Sequence, residues 1–161
     1  IAFEEPIAPH LACAKQIAKG EGKCIELHDI NLGYQHLINK ESNVVLVEGA
    51  GGWRLPLGKN SQGRAQFLSD FAIAQQLPVI MVVGMRLGCV NHALLTAQAI
   101  EQDGLVVAGW VANMLEPDMP FLDENIQSLQ NLLKAPLVAR IPKAVSSIDV
   151  KGCFDMQALG F

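Results

Sequence analysis

The chain has 161 residues, of which 50% are hydrophobic and 17% charged, and its formal net charge is −4. This length is typical of one domain of about 100–200 residues, and we expect a single domain over residues 1–161. The apolar content excludes a disordered chain, no apolar run approaches the ~20 residues that cross a bilayer, and the acidic balance argues against a nucleic-acid partner.

The first half of the chain is predicted to contain helices around one buried strand. Periodicity predicts helices over residues 9–19 and 29–40. The continuous aliphatic run over residues 44–47 predicts a strand with two apolar faces, as in a buried parallel sheet. A third helix is predicted over residues 65–76.

The second half is predicted to alternate strictly between strands and helices. Strands are predicted over residues 78–83, 106–112 and 137–141, and helices over residues 91–102 and 121–133. This alternation indicates βαβ units, and so an α/β fold with a parallel sheet flanked by helices on both faces. The tail after residue 143 has no clear pattern.

The cysteines show no metal-binding or disulfide-framework pattern. Cys13, Cys24, Cys89 and Cys153 form no Cys-x-x-Cys pair. This usage is typical of reduced thiols, so we expect a cytoplasmic protein. The low charged fraction favours an apolar surface covered by a partner subunit.

Ligands of open α/β sheets bind beyond the carboxyl ends of the strands. Glu48 follows the first predicted strand and precedes Gly49, Ala50 and Gly51. A carboxylate there suits Mg²⁺ bound together with substrate phosphates, and small residues let phosphate oxygens approach backbone amides. It is equally open that Glu48 caps a glycine-rich turn that is only structural.

Two further strand ends carry groups that could bind a ligand. Gly88 and Asn91 lead into a predicted helix, with Asn91 as its N-cap, so the amides there could hold a substrate carboxylate. The alternative is that Asn91 only caps the helix and that Cys89 is a small turn residue. Asn113 offers a donor and an acceptor suited to a purine edge, or it is an ordinary turn residue.

A phosphate loop of the form G-x-x-x-x-G-K-[ST] is not found in residues 1–161. The nearest match runs from Gly52 to Asn60. It has one residue too many between its glycines, and Asn60 stands where a hydroxyl is required. We therefore assign no phosphate loop to this chain.

Several strings together resemble the dethiobiotin synthetases, and the resemblance extends from Phe3 to about Asp149. The strings are FEEPIAPH from Phe3, VLVEGAGGW from Val45, LPVI from Leu77, LGCVNHA from Leu87 and AGWVAN from Ala108. The resemblance implies a three-layer, Rossmann-like fold of the P-loop NTPase type. It also implies a homodimeric ligase of biotin biosynthesis that requires ATP and Mg²⁺. Such an enzyme forms dethiobiotin from 7,8-diaminopelargonic acid and CO₂ through a phosphorylated carbamate.

The resemblance also implies roles for particular residues. Glu48 would be a Mg²⁺ ligand near the γ-phosphate. The residues that would bind the substrate carboxylate are Gly88, Cys89, Val90 and Asn91. The residues that would bind the nucleotide are Glu48, Gly49, Ala50, Gly51, Asn113, Met114, Pro142, Lys143, Ala144 and Asp149.

The chain departs from the family pattern in two places. The loop over residues 53–65 looks longer than in the family. The family's N-terminal part, with its phosphate loop and catalytic lysines, is not matched, so we expect a domain incomplete at its N-terminus and no dethiobiotin formation by residues 1–161 alone. The alternatives are an ATPase switch or amidotransferase domain of the P-loop class, and a non-catalytic α/β binding module.

Overall fold

The computed structural model describes residues 7–21, 25–40, 43–49, 51–60, 62–116, 118–143, 150 and 152–160. Contacts divide the chain into two compact units, Ile1–Gln76 and Leu77–Phe161, and each is described by itself. Ala50, Ala144 and Asp149, which were predicted to bind nucleotide, lie outside the described residues. A single domain over the whole length stays a prediction.

The described residues of the first unit form three helices and a β-hairpin. In chain order these are α1 (Pro9–Ala18), α2 (Leu27–Ile38), β1 (Pro56–Lys59), β2 (Ala65–Phe67) and α3 (Leu68–Ala74). The first two predicted helices are confirmed to within two residues at each end.

A small apolar cluster holds α1 to the hairpin. Cys13 of α1, Ile25 and Leu57 of β1 are all buried in it. The rings of Tyr34 on α2 and Phe71 on α3 meet edge to face with their centroids 5.3 Å apart. Burial of these few side chains stabilises α1, α2 and the hairpin. Glu48 lies between α2 and the hairpin in the chain.

The hairpin was not predicted, and it shortens the third predicted helix. β1 and β2 pair in antiparallel fashion. The turn between them is built on Asn60, whose side-chain oxygen accepts hydrogen bonds from the backbone N–H groups of Gln62 and Arg64 at 3.0 and 2.9 Å. Helix α3 starts only after β2, where the Phe67 N–H donates to the Asp70 carboxylate at 2.9 Å.

The strand predicted over residues 44–47 is wrong. Residues 43–49 form neither helix nor strand, and Val44 and Leu46 are 63% and 83% exposed. An aliphatic run becomes a strand only when a neighbouring strand satisfies its backbone groups. No described strand pairs with this segment.

The second unit is a parallel α/β structure, as predicted. It contains β3 (Val79–Met85), α4 (Cys89–Gln102), β4 (Val107–Met114), α5 (Leu122–Leu132) and β5 (Leu137–Ile141). The strands lie in the order β3-β4-β5, and both pairs are parallel. The predicted fold class is therefore confirmed.

The central strand β4 carries the core of the second unit. Trp110 and Ala112 of β4 are fully buried, as are Leu129 of α5 and Met85 of β3. The tail adds a short 3-10 helix, Gln157–Leu159, which packs against β4 and β5.

Candidate functional site

The carboxyl ends of β3, β4 and β5 lie side by side. Asn113 of β4 is paired in register with Gly84 of β3 and with Ile141 of β5. Pro142 and Lys143 directly follow Ile141. Four of the residues predicted to bind the nucleotide therefore come together at one sheet edge: Asn113, Met114, Pro142 and Lys143.

Asn113 is available for a ligand at this edge. Its side chain is half-buried, and it makes no hydrogen bond to any residue in the described part of the chain. It lies inside β4, one residue before its end, and so its backbone is fixed by two neighbouring strands. A half-buried amide on a fixed backbone can discriminate between donor and acceptor patterns of a base.

The turn from β3 into α4 begins at the same edge, because Met85 pairs with Met114. Gly88 has φ +88°, a left-handed conformation that favours glycine. The Cys89 N–H donates to the Arg86 carbonyl oxygen at 3.0 Å. The turn into α4 thus starts next to the end of β4, which carries Asn113 and Met114.

The N-cap predicted at Asn91 is wrong. The cap is Gly88, and α4 begins at Cys89, so the exposed Asn91 lies within the first turn. The left-handed glycine reverses the chain earlier than the capping preference of Asn would indicate. The backbone N–H groups of Val90 and Asn91 fall in the first turn, where a helix provides no carbonyl partner of its own.

Glu48 belongs to the first unit. It is exposed and is followed by a tight bend in which Gly51 and Gly52 have φ +76° and +94°. A Cβ on Gly51 would lie 2.8 Å from the Cδ1 atom of the buried Leu55, so both conformation and space require glycine there. The structure thus gives Glu48 an accessible carboxylate before a bend without bulky side chains.

The donor set at Glu48 fits a shared magnesium site. Among the described residues, no group of three or more His, Cys, Asp or Glu side chains could hold a metal by themselves. Mg²⁺ commonly binds through one or two carboxylates together with substrate phosphates and water. A single exposed carboxylate beside a glycine bend is compatible with that mode of binding.

Leu115 and Gly84 also lie at this edge, and sequence reasoning assigned neither a role. A lone apolar residue after a strand and a glycine inside one carry no motif. Their relationship depends on the register of two strands, which the sequence alone does not give.

In the described part of the chain, no helix is long and apolar enough to span a bilayer.

Comparison with known proteins finds a matching family profile and similar enzymes in several bacteria. The sequence profile of the family described as AAA domain matches residues 1–149. The chain is 45% identical to the ATP-dependent dethiobiotin synthetase BioD of Pseudomonas paraeruginosa, over 99% of this chain and 67% of that protein. It is 48% identical to the same enzyme of Alteromonas mediterranea, over 88% of this chain and 59% of that protein. The chain thus spans about three fifths to two thirds of the length of these relatives.

Proposed function

Because the chain belongs to the family of ATP-dependent dethiobiotin synthetases, we propose that the protein containing it closes the cyclic urea of dethiobiotin. The reactants would be 7,8-diaminopelargonic acid, CO₂ and ATP, and the products dethiobiotin, ADP and phosphate. The observation that carries this proposal is 45% identity over 99% of the chain to an enzyme of that name.

We propose that the strand ends of the second unit bind the nucleotide base. Asn113 supplies a half-buried amide free of hydrogen bonds to described residues. Met114 offers an apolar contact. Pro142 and Lys143, which follow the neighbouring strand, would pack against the base. Ala144 and Asp149 remain proposed members of the same site.

We propose that Glu48 holds Mg²⁺ together with the nucleotide phosphates, with Gly49, Ala50 and Gly51 lining those phosphates. The bound ion would offset the negative charge of the phosphate oxygens. The chain's own contribution is an accessible carboxylate on a bend where glycine conformations leave the backbone uncovered.

The first turn of α4 would orient the diamine. The residues Gly88, Cys89, Val90 and Asn91 precede or form this turn. Backbone N–H groups there and the helix dipole favour a carboxylate. Anchoring the carboxylate would leave the amino groups at the other end of the substrate for reaction.

The proposed chemistry runs in three balanced steps. One amine adds to CO₂ and loses a proton, which gives a carbamate. A carbamate oxygen then attacks the γ-phosphorus, and ADP leaves. The second amine attacks the carbamate carbon and loses a proton, phosphate leaves with the C–O electron pair, and the ring closes. The residues described above bind and orient the nucleotide and the diamine, and we propose a proton-transfer role for none of them.

We also propose a cytoplasmic homodimer. The cysteine pattern of the sequence supports the cytoplasmic location. The dimer is supported by Leu95 of α4, a large apolar side chain that is 56% exposed.

The test is product formation by the protein that contains this chain. It is incubated with ATP, Mg²⁺, bicarbonate and 7,8-diaminopelargonic acid, and dethiobiotin is measured by mass spectrometry. We expect ADP release to require both the diamine and bicarbonate. ADP release that requires neither the diamine nor bicarbonate would instead favour an ATPase switch of the same fold. The absence of ATP binding would favour a non-catalytic module.

A further inference from the structure

Leu115, the first residue after β4, folds its side chain back over Gly84 of β3. A Cβ built on Gly84 would lie 2.9 Å from the Cδ1 atom of Leu115 and 3.5 Å from its Cγ atom. The first distance is well inside ordinary van der Waals contact. Leu115 therefore occupies the volume that a side chain at position 84 would take.

This contact lies next to Asn113. Gly84 is the register partner of Asn113, and directly opposed residues of neighbouring strands present their side chains to the same face of a sheet. The Leu115 side chain thus packs on the face that carries the Asn113 amide, one strand away from it.

On strand β3, the contact lies on a face that is otherwise open to solvent. Ile80 and Val82 precede Gly84 at alternate positions of β3 and share its face, and they are 40% and 63% exposed. Leu115 itself is 41% exposed. Leu115 is half-exposed and covers one glycine on an otherwise open strand face. We therefore expect it to contribute little to the stability of the fold.

We infer that Leu115 is a positioning residue for adenine recognition: by packing on Gly84 it holds the end of β4 and limits the orientations of the Asn113 amide. A Cβ at position 84 would force the Leu115 side chain to shift from this place. This inference rests on the proposed role of Asn113 in binding the adenine base.

The test compares kcat/KM for ATP and GTP in Leu115→Ala, Asn113→Ala and the double variant. An orientation-dependent hydrogen bond contributes about 0.5–1.5 kcal/mol, so we expect Leu115→Ala to lower the ATP-to-GTP ratio about two- to tenfold. The saturating kcat with ATP should change little. In the Asn113→Ala background, Leu115→Ala should change the ratio no further, because the residue acts through that amide.

Two variants control for general damage. Leu132→Ala removes a leucine that is 57% exposed at the C-terminal end of α5, away from this edge, and should leave the ratio unchanged. Leu115→Met keeps the volume and should retain most of the discrimination. Gly84→Ala should displace Leu115 and lower the ratio as Leu115→Ala does, even if Leu115→Ala itself folds poorly.

The outcomes separate the inference from the function on which it rests. An unchanged ratio in Leu115→Ala and Gly84→Ala, with a lowered ratio in Asn113→Ala, overturns the role of Leu115 alone. Additive effects of Leu115→Ala and Asn113→Ala also overturn it. An unchanged ratio in Asn113→Ala removes the adenine role of that residue, and the inference with it, while dethiobiotin formation is measured independently.

Discussion

Gly109 of β4 lies so close to Val138 of β5 that a Cβ on the glycine would stand 2.5 Å from the Val138 Cγ1 atom. The Cδ2 atom of Leu159, from the 3-10 helix, would be 3.1 Å away. Val138 is 1% exposed and cannot move outward into solvent. The tail and the two strands therefore close around a position that admits only glycine.

Gly109→Ala should destabilise the protein by about 1–3 kcal/mol, as overpacking of a closed core does. Chemical denaturation measures this as a lower midpoint with an unchanged slope. Gly33→Ala is the control, since position 33 lies within α2 with nothing within 4 Å of the added carbon, and helix propensity should make that change neutral or stabilising. Adding Val138→Ala to Gly109→Ala should recover part of the loss, and strict additivity of the two changes would contradict the clash.

Local sequence signals were sufficient to predict the second unit. Its strands and helices alternate along the chain, and neighbouring strands in sequence are neighbours in the sheet. Each apolar run therefore has its partner within one βαβ unit. Asn113 and Ile141 could be placed at one edge from the sequence, because parallel strands that follow each other end on the same side.

The first unit shows where such reasoning stops. The run from Val44 to Val47 is apolar, but apolarity does not specify a hydrogen-bonded neighbour, and the described structure contains no strand there. The hairpin was missed although Asn60 and Gly63 carry turn chemistry, because β2 has only three residues. The N-cap of α4 at Gly88 depends on a left-handed backbone angle, which the identity of a residue only favours.

Asn113→Ala should raise the KM for ATP and weaken discrimination against GTP. The expected loss is about 0.5–1.5 kcal/mol per hydrogen bond. Steady-state kinetics with both nucleotides measures it. Asn131→Ala is the matched control, because Asn131 is an exposed residue of α5 whose amide oxygen accepts only from Gln127 among the described side chains. Equal effects of the two changes would leave Asn113 with only a structural role near the end of β4.

Glu48→Gln should preserve folding and abolish most turnover. Removing one ligand and one charge near the reacting phosphate should cost about 3 kcal/mol of transition-state stabilisation. The rate is measured across a Mg²⁺ titration, with unfolding followed in parallel. Glu101→Gln is the control, because this exposed carboxylate pairs with Lys134 at the C-terminal end of α4. A Glu48→Gln protein with normal kcat at ordinary Mg²⁺ would remove the metal assignment.

Leu95→Glu should weaken self-association if the exposed face of α4 is covered by a second copy of the chain. Burying the introduced charge without a partner costs several kcal/mol. Sedimentation velocity over a concentration series measures the monomer fraction. Leu32→Glu on α2 serves as the control, since both leucines are 56% exposed. A protein that is already monomeric at micromolar concentration before substitution would contradict the dimer.

Gly88→Ala should impair binding of the diamine while leaving the nucleotide site intact. An alanine at φ +88° is strained by about 1–2 kcal/mol, and relief of that strain would shift the first turn of α4, where the substrate carboxylate is proposed to bind. We expect a raised KM for 7,8-diaminopelargonic acid and an unchanged KM for ATP.

Gly104→Ala is the closest matched control for this change. Gly104 follows the other end of α4, has φ +80°, and, like Gly88, has no atom within 4 Å of an added Cβ. Both substitutions should therefore lower stability by similar amounts, which thermal unfolding measures. Only Gly88→Ala should change the KM for the diamine, because only Gly88 precedes the first turn of the helix. If Gly104→Ala raised that KM equally, general strain in α4 would account for the effect, and the first turn would lose its proposed role in binding the carboxylate.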